Sequence, residues 1–296
     1  MWFSLALLAL SMLVVRRSAE KSLSAKVDSL AMSWLQQIFA MPFIVGSLFA
    51  ARFYMPTELP GRFWEYMVIY VLCCAIDLYC YFKALSLADV SYISPLISLV
   101  AVGNIVGAYF VLGQVPTIWA FGGACLIICG AYMIHKSKRA VAAEHFAAHR
   151  KALLLILLLV GVRSYFSNIE VFMLRDANPT TFNFYSSLLT IPVLMVASLL
   201  MIRHKKLTGY WHKITGDVRK WYPLLLLIGV TYTINMLATY QAKLVGPNAG
   251  YVGAVKSAQL LPMMFIGALF FKENVTKRQW SAAALILLGL VGLSVG

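Results

Sequence analysis

The sequence predicts an all-α integral membrane protein of ten transmembrane helices arranged as two inverted five-helix repeats. Three observations carry that prediction. Hydrophobic residues make up 61% of the 296-residue chain, only 12% are charged, and the mean hydropathy is +0.80, far from the make-up of a water-soluble domain. Ten apolar runs are long enough to cross a bilayer as helices, which takes about 20 residues each. Residues 76–114 are echoed in order by 234–273: Ile76-Asp77-Leu78 answers Ile234-Asn235-Met236, Tyr92 answers Tyr251, and Gly107-Ala108-Tyr109-Phe110 answers Gly267-Ala268-Leu269-Phe270.

In chain order the runs fall at 1–18, 30–51, 62–84, 89–112, 116–135, 152–174, 179–202, 221–243, 248–271 and 279–296. The first is short, and Arg16-Arg17 follow its apolar stretch. A cleaved signal peptide carries its positive charge ahead of the apolar run. The stretch is therefore read as a helix whose arginines snorkel to the interface. The halves 1–135 and 152–296 are joined by the basic linker 136–151, read as a solvated cytoplasmic connector that touches anionic lipid. Five spans per half is an odd number, so the two copies enter the membrane in opposite senses. The longest polar segment, 203–220, is too short to fold alone.

A net charge of +14 raises the question of nucleic acid, which the distribution of charge excludes as a partner. Nearly all Lys and Arg sit in short loops beside apolar runs, where positive charge sets membrane orientation. The loops after the odd-numbered runs hold nineteen of the 25 and those after the even-numbered runs four, with Arg163 and Lys256 inside runs. The richer side is cytoplasmic by the positive-inside rule, and both termini are expected outside.

Charged side chains inside spans are costly and face a bundle interior or a cavity. Asp77, Arg163, Glu170 and Lys256 are the candidates. Asp77 suits a substrate or proton site; the alternative is a structural ion pair with Lys256 or Lys83. Asn235 stands at the matching place in the second repeat and either bonds a ligand or locks a helix contact. Glu170 is close to Arg175, so a helix-surface network competes with a role on a substrate path. Lys256 lies far from either end of its run. Tyr92, Tyr251 and Asn183 join the candidate substrate-binding set, and Pro95 and Pro262 suit hinges, since bends in spanning helices are tolerated where a neighbour or cavity satisfies the freed carbonyls. The five cysteines, all within apolar runs, are read as small buried side chains. No metal or cofactor is expected: the His lie in basic loops or at helix ends, and no metalloprotease, nucleophile-elbow or phosphate-loop motif occurs.

The segments YFKALSLADVSYISPLISL and AVKSAQLLPMMFIGALFFKENVTKRQWSAAALILLGLVGL resemble the EamA-type repeats of the drug/metabolite transporter superfamily. Phe271-Lys272-Glu273 matches the turn that precedes the last helix of such a repeat. Gly113-Gln114 has Gln where Glu is usual, and Pro95 matches the family proline, where the second repeat has Ala254. The resemblance implies a ten-helix transporter with a cavity between the halves. It further implies small metabolites as substrates, among them amino acids, nucleotide sugars, sugar phosphates and amines, and basic residues in helix 9 of relatives that handle anions. It also implies cytoplasmic termini, against which the loop charges of this chain point outward.

The expected function is secondary transport, proton-coupled, exchanging or facilitative, of a small polar or amphipathic metabolite such as an amino acid. Asp77 could take a proton or an amine, and Lys256 a carboxylate or phosphate. A flippase for a lipid or lipid-linked headgroup is the alternative, and a membrane scaffold a third. Enzymatic activity is not expected. The expected partners are a small solute and the bilayer of the plasma membrane, around a monomer or homodimer.

Overall fold

The computed structural model describes residues 1–51, 59–112, 117–138, 143–201, 207–246, 249–273 and 275–295; at 108, 111–112, 135–138, 143–147, 201, 207–208, 249–251, 254 and 293–295 it describes the backbone only. The described residues form helices alone, in the order α1 (Trp2–Ser24), α2 (Ser29–Ala50), α3 (Gly61–Leu87), α4 (Val90–Ile97), α5 (Leu99–Leu112), α6 (Ile118–Lys138), α7 (Ala143–Asp176), α8 (Pro179–Met201), α9 (Leu207–Val245), α10 (Ala249–Ser257), α11 (Leu260–Leu269) and α12 (Lys277–Val295). Seven stretches are long and apolar enough to cross a membrane: Trp2–Ser24, Ser29–Ala50, Gly61–Leu87, Val90–Gly107, Ala148–Asp176, Pro179–Leu200 and Gly209–Val245. Ile118–Ile134 and Val255–Leu269 are shorter apolar helices.

Three helices overrun the apolar runs that predict them. α1 continues through Arg16 and Arg17 to Ser24 because those charges find partners inside the protein. Asp28 then starts α2, its carboxylate accepting from the backbone N–H of Leu30 (3.0 Å) and Ala31 (3.2 Å). α7 begins at Ala143, within the expected linker, over an Ala-rich stretch with strong helix propensity. α9 begins at Leu207, inside the polar segment 203–220. Its first turns carry an apolar stripe, Tyr210, Trp211, Ile214, Val218 and Trp221, that packs on the core, with Trp211 5.9 Å from the Trp34 ring on α2.

Two expected spans, 89–112 and 248–271, are broken. The chain tightens at Ser98 between α4 and α5, and at Ala258-Gln259 between α10 and α11. The backbone bonds there skip three residues rather than four: Ser98 N–H to Pro95 (3.1 Å), Ala101 N–H to Ser98 (3.0 Å), Ala258 N–H to Val255 (3.1 Å), and Gln259 N–H to Lys256 (3.1 Å). Pro262 accounts for the second break, since its ring lacks an N–H and crowds the carbonyl of Ala258 four residues back. Pro95 sits within α4, and the break follows it. Ser98 and Ala258 occupy equivalent positions, at the offset that relates Gly107 to Gly267.

The packing exchanges partners between halves. α1 packs on α9 and α7 on α3, so the first helix of each half lies against the third of the other. α4 packs on α11, α2 on α8, and α6 on α12. Glycines bring these helices close. A Cβ at Gly107 would lie 2.5 Å from the Asn168 amide nitrogen on α7, and one at Gly289 2.6 Å from the Gly123 carbonyl oxygen on α6. The turn after α11 also crosses: Glu273 Oε1 and Oε2 accept from the N–H groups of Val90 and Ser91, each at 2.9 Å, and so cap α4.

Gly289→Leu is expected to push α12 off α6, lowering stability by about 1–3 kcal/mol. Leu288→Ala, on a side chain 62% exposed on the same helix, should change it little. Thermal unfolding of the detergent-purified protein measures both.

Candidate functional site

The interior of the bundle holds charges on α1, α3, α7, α9 and α10. Asp77, 4% exposed on α3, accepts two bonds from Arg163 on α7: Nε to Oδ1 at 2.8 Å and Nη2 to Oδ2 at 2.5 Å. A side-on bidentate pair of this kind satisfies both carboxylate oxygens. Its partner is therefore Arg163, where the sequence suggests Lys256 or Lys83. Gly103 and Gly107 let α5 lie against α7 beside this pair, where Ser167 donates to the Asn104 amide oxygen at 2.7 Å.

Glu170, two helical turns on from Arg163, is 5% exposed and accepts from Lys243 of α9 at 2.7 Å. Of the two alternatives open in sequence for Glu170, the surface network with Arg175 is not what the fold forms. Arg175 is exposed, while Glu170 turns inward because α3 and α9 cover that face of α7. Lys243, counted from sequence as a loop charge, belongs to this interior pair. Beyond it, an aromatic layer fills the end of the bundle near Gly61 and Asp176. Tyr70 stacks edge-on against Phe166 (5.2 Å) and Phe182 (5.1 Å), and its hydroxyl lies 3.4 Å from that of Tyr240.

The other charges come from α1, and sequence reasoning missed them. Arg16 and Arg17 are 7% and 4% exposed and do not snorkel to an interface. Arg16 Nε lies 3.1 Å from Glu20 Oε1, and its guanidinium sits 5.2 Å from the Tyr232 ring of α9. Glu20, fully buried, also accepts from the Tyr81 hydroxyl at 2.8 Å, and Arg17 stacks 4.7 Å from the Tyr81 ring. Tyr232 in turn accepts from the Gln37 amide at 3.2 Å. A signal was present: Arg16 and Glu20 stand at helical i,i+4 spacing. Glu20 and Glu170 also lie at the same spacing ahead of two pairs of matched residues, the caps Asp28 and Asn178 and the prolines Pro42 and Pro192.

Lys256 occupies the last turn of α10, next to the break at Ala258. It lies within electrostatic reach of Lys243, Glu170, Arg16 and Arg163, which sets it in the interior rather than against lipid. The other candidates are more scattered. The Asn235 amide donates to the Ala9 carbonyl at 2.6 Å and locks α9 to α1, the helix-contact alternative of the two open in sequence. Asn183 is fully buried on α8 and neither of its amide atoms is hydrogen-bonded among the described residues. Tyr92 is buried in α4 with its ring 5.4 Å from that of His149. The side chain of Tyr251 lies outside the described residues.

One further reading changes. Cys125 and Cys129 are exposed on the outer face of α6, since α12 packs on the opposite side; Cys80 is buried, and Cys73 and Cys74 are intermediate. Among the described residues no group of three His, Cys, Asp or Glu is gathered to hold a metal ion.

What the interior can do chemically follows from its composition. It offers paired and unpaired cations, carboxylates and hydroxyls at the junction of the halves, next to two helix breaks. Broken helices in corresponding positions of two repeats are where solute sites form in membrane carriers. Comparison with known proteins agrees with this architecture. No curated protein matches the chain. A solved structure described only as "Crystal structure of protein" is similar over 98% of this chain and 95% of its own, with a TM-score of 0.67 at 14% identity, which shows the fold alone. The EamA-like transporter family matches residues 1–135 and 150–295. With both stretches matched across nearly its whole length, the chain belongs to the EamA-like transporter family and is a multi-pass membrane transporter of the drug/metabolite type.

Proposed function

We propose that the chain is a secondary transporter that carries a small polar or amphipathic metabolite by alternating access between two inverted five-helix repeats. In this reading α4 with α5, and α10 with α11, each count as one broken span, which makes ten. The observation that carries it is the Asp77–Arg163 pair, which ties the first half to the second deep in the bundle. A charge pair costs desolvation wherever water is excluded, and a well-packed apolar pair would hold two helices at least as well. Its retention at the seam between repeats fits a role in exchange of partners as the halves rock. Asp77, Arg163, Glu170 and Lys256 form the solute path, with Asn183 and its unbonded amide beside it. Asn235, Tyr92 and Tyr251 support it, and Pro95 and Pro262 flank the breaks that act as hinges.

The plasma membrane is the proposed location, with both termini outside. Removing Arg16, Arg17 and Lys243 from the loop count, because they are interior, leaves the contrast between the two sides intact.

Three outcomes check this reading. In proteoliposomes of the full chain, preloading with pooled amino acids, sugar phosphates and amines should drive counterflow of a labelled member of one class; no exchange of any solute overturns it. Arg163→Gln leaves Asp77 buried without a partner and should cost roughly 3–5 kcal/mol of stability along with transport, since breaking a buried pair exposes the full desolvation penalty. Adding Asp77→Asn should restore most of the thermal stability but not the transport. Finally, Gly296→Cys in a chain lacking its native cysteines should react with an impermeant maleimide on intact cells, and protection there would reverse the assigned orientation.

A further inference from the structure

The interior charges pair off, and the pairing leaves a remainder. Asp77 is held by Arg163 through both oxygens, Glu170 by Lys243, and Glu20 by Arg16 with the Tyr81 hydroxyl. Each interior carboxylate among the described residues is thus engaged. Two cations are left without a carboxylate within ion-pair distance among the described residues, Arg17 on α1 and Lys256 on α10, two helices that pack on one another. The neighbours of each are mostly alike in sign. Arg17 lies within reach of Arg16 and Arg163 as well as Glu20, and Lys256 within reach of Lys243, Arg16 and Arg163 as well as Glu170.

We infer that the transported solute is an organic anion, bearing a carboxylate or phosphate group, which Lys256 and Arg17 bind as the missing counter-charges. This rests on the transport reading and narrows it. An amine or other cation would need a free carboxylate, and among the described residues every interior carboxylate is engaged. It would also meet a net positive interior. A neutral solute would leave two interior cations, the buried Arg17 and the partly buried Lys256, uncompensated, which membrane proteins avoid. Local groups offset these charges only in part. The Tyr81 ring offers Arg17 a quadrupole, and the C-terminal end of α10 offers Lys256 a partial charge of about half an elementary unit. Arg17 also has its Nε buried without a hydrogen bond, a donor available to an anionic oxygen. The helix break beside Lys256 gives that side chain room to follow a ligand between two arrangements of α10 and α11.

The test uses the full chain in proteoliposomes. A labelled dicarboxylate, a hexose phosphate, a zwitterionic amino acid, a primary amine and a neutral sugar are each offered for counterflow. Fluorescent anionic and zwitterionic phospholipids are tested in the same vesicles. The expected result is exchange of the dicarboxylate or the hexose phosphate, at least tenfold reduced at sub-saturating concentration by Lys256→Gln and by Arg17→Gln. Both variants should unfold at or above the wild-type temperature, because each removes an uncompensated charge. That separates them from Arg163→Gln, which should unfold lower. Exchange of the amine, the neutral sugar or the amino acid alone leaves the transporter standing and overturns the anion. Anion exchange unchanged in both variants overturns the assigned residues. If no solute exchanges, the transport reading fails, and the thermal shift decides the site. A rise in the wild-type unfolding temperature with the dicarboxylate or with inorganic phosphate, lost in Lys256→Gln, keeps an anion site; no shift with either removes it. Movement of the anionic phospholipid alone keeps the anion and assigns it to a lipid headgroup.

Discussion

Everything in the interior of this protein answers to one constraint: a charge placed where neither water nor lipid headgroup reaches it must find an opposite charge. The Asp77–Arg163 pair is the clearest instance. Both oxygens of Asp77 are used, which fixes the Arg163 side chain in direction as well as distance, and so fixes α7 against α3. The near-equivalent contact on the other side of the bundle, α1 against α9, is fixed without an ion pair among the described residues, with the Arg16 guanidinium over the Tyr232 ring. There the Asn235 amide reaches the Ala9 carbonyl. The two halves share a packing scheme but not its electrostatics.

The breaks in α4/α5 and α10/α11 belong to the same logic. A helix interrupted at mid-bundle exposes carbonyls that a continuous helix would consume, and the protein tolerates this only where something else satisfies them. Here tight three-residue turns close around Ser98 and Ala258, and Lys256 stands one turn from the second. The coupling between halves runs through these pieces. Glu273, in the turn that follows α11, caps the first N–H groups of α4. Gly267 makes room for that carboxylate, since a Cβ there would lie 2.7 Å from Glu273 Oε2. The broken helix of one repeat is thus anchored at its start by the turn that ends the broken helix of the other.

How much of this was legible in sequence depends on what kind of signal each feature leaves. Apolar runs report burial in lipid or protein, so the helices and their order could be read directly, and the echo of 76–114 in 234–273 gave the repeat. Run edges were poor guides to helix ends. Arg16 and Arg17 look like an interface because hydropathy records the cost of a charge and not the partner that offsets it; Glu20 and Tyr81 are such partners, one turn and one helix away. The same blindness assigned Lys243 to a loop and left Glu170 open between a surface network and a substrate path. Among the candidate residues, spacing alone could group Arg163 with Glu170 on one stripe, yet it could not show that they face different helices, α3 and α9. The exposed pair Cys125 and Cys129 was misread because α6 is apolar on every side, so sequence gives no sign of which face meets α12.

The comparison of Glu20 with Glu170 takes the argument one step further. The two are equivalent by position in the repeats, and each takes a cation and lies against a tyrosine-bearing helix of the bundle. The cations come from different places. Glu20 is served by Arg16 of its own helix, within a single turn, and Glu170 by Lys243 of α9, across a helix interface. A pair within one helix is indifferent to how helices slide, whereas a pair between helices breaks when they do. Rocking of the halves would therefore leave Glu20 neutralised throughout. Glu170 and Lys243 belong to the same repeat, so their bond would open only if α7 and α9 shifted within it, and Lys243 lies within electrostatic reach of Lys256. The second repeat thus holds both the pair that spans two of its own helices and, among the described residues, the lysine with no carboxylate within ion-pair distance.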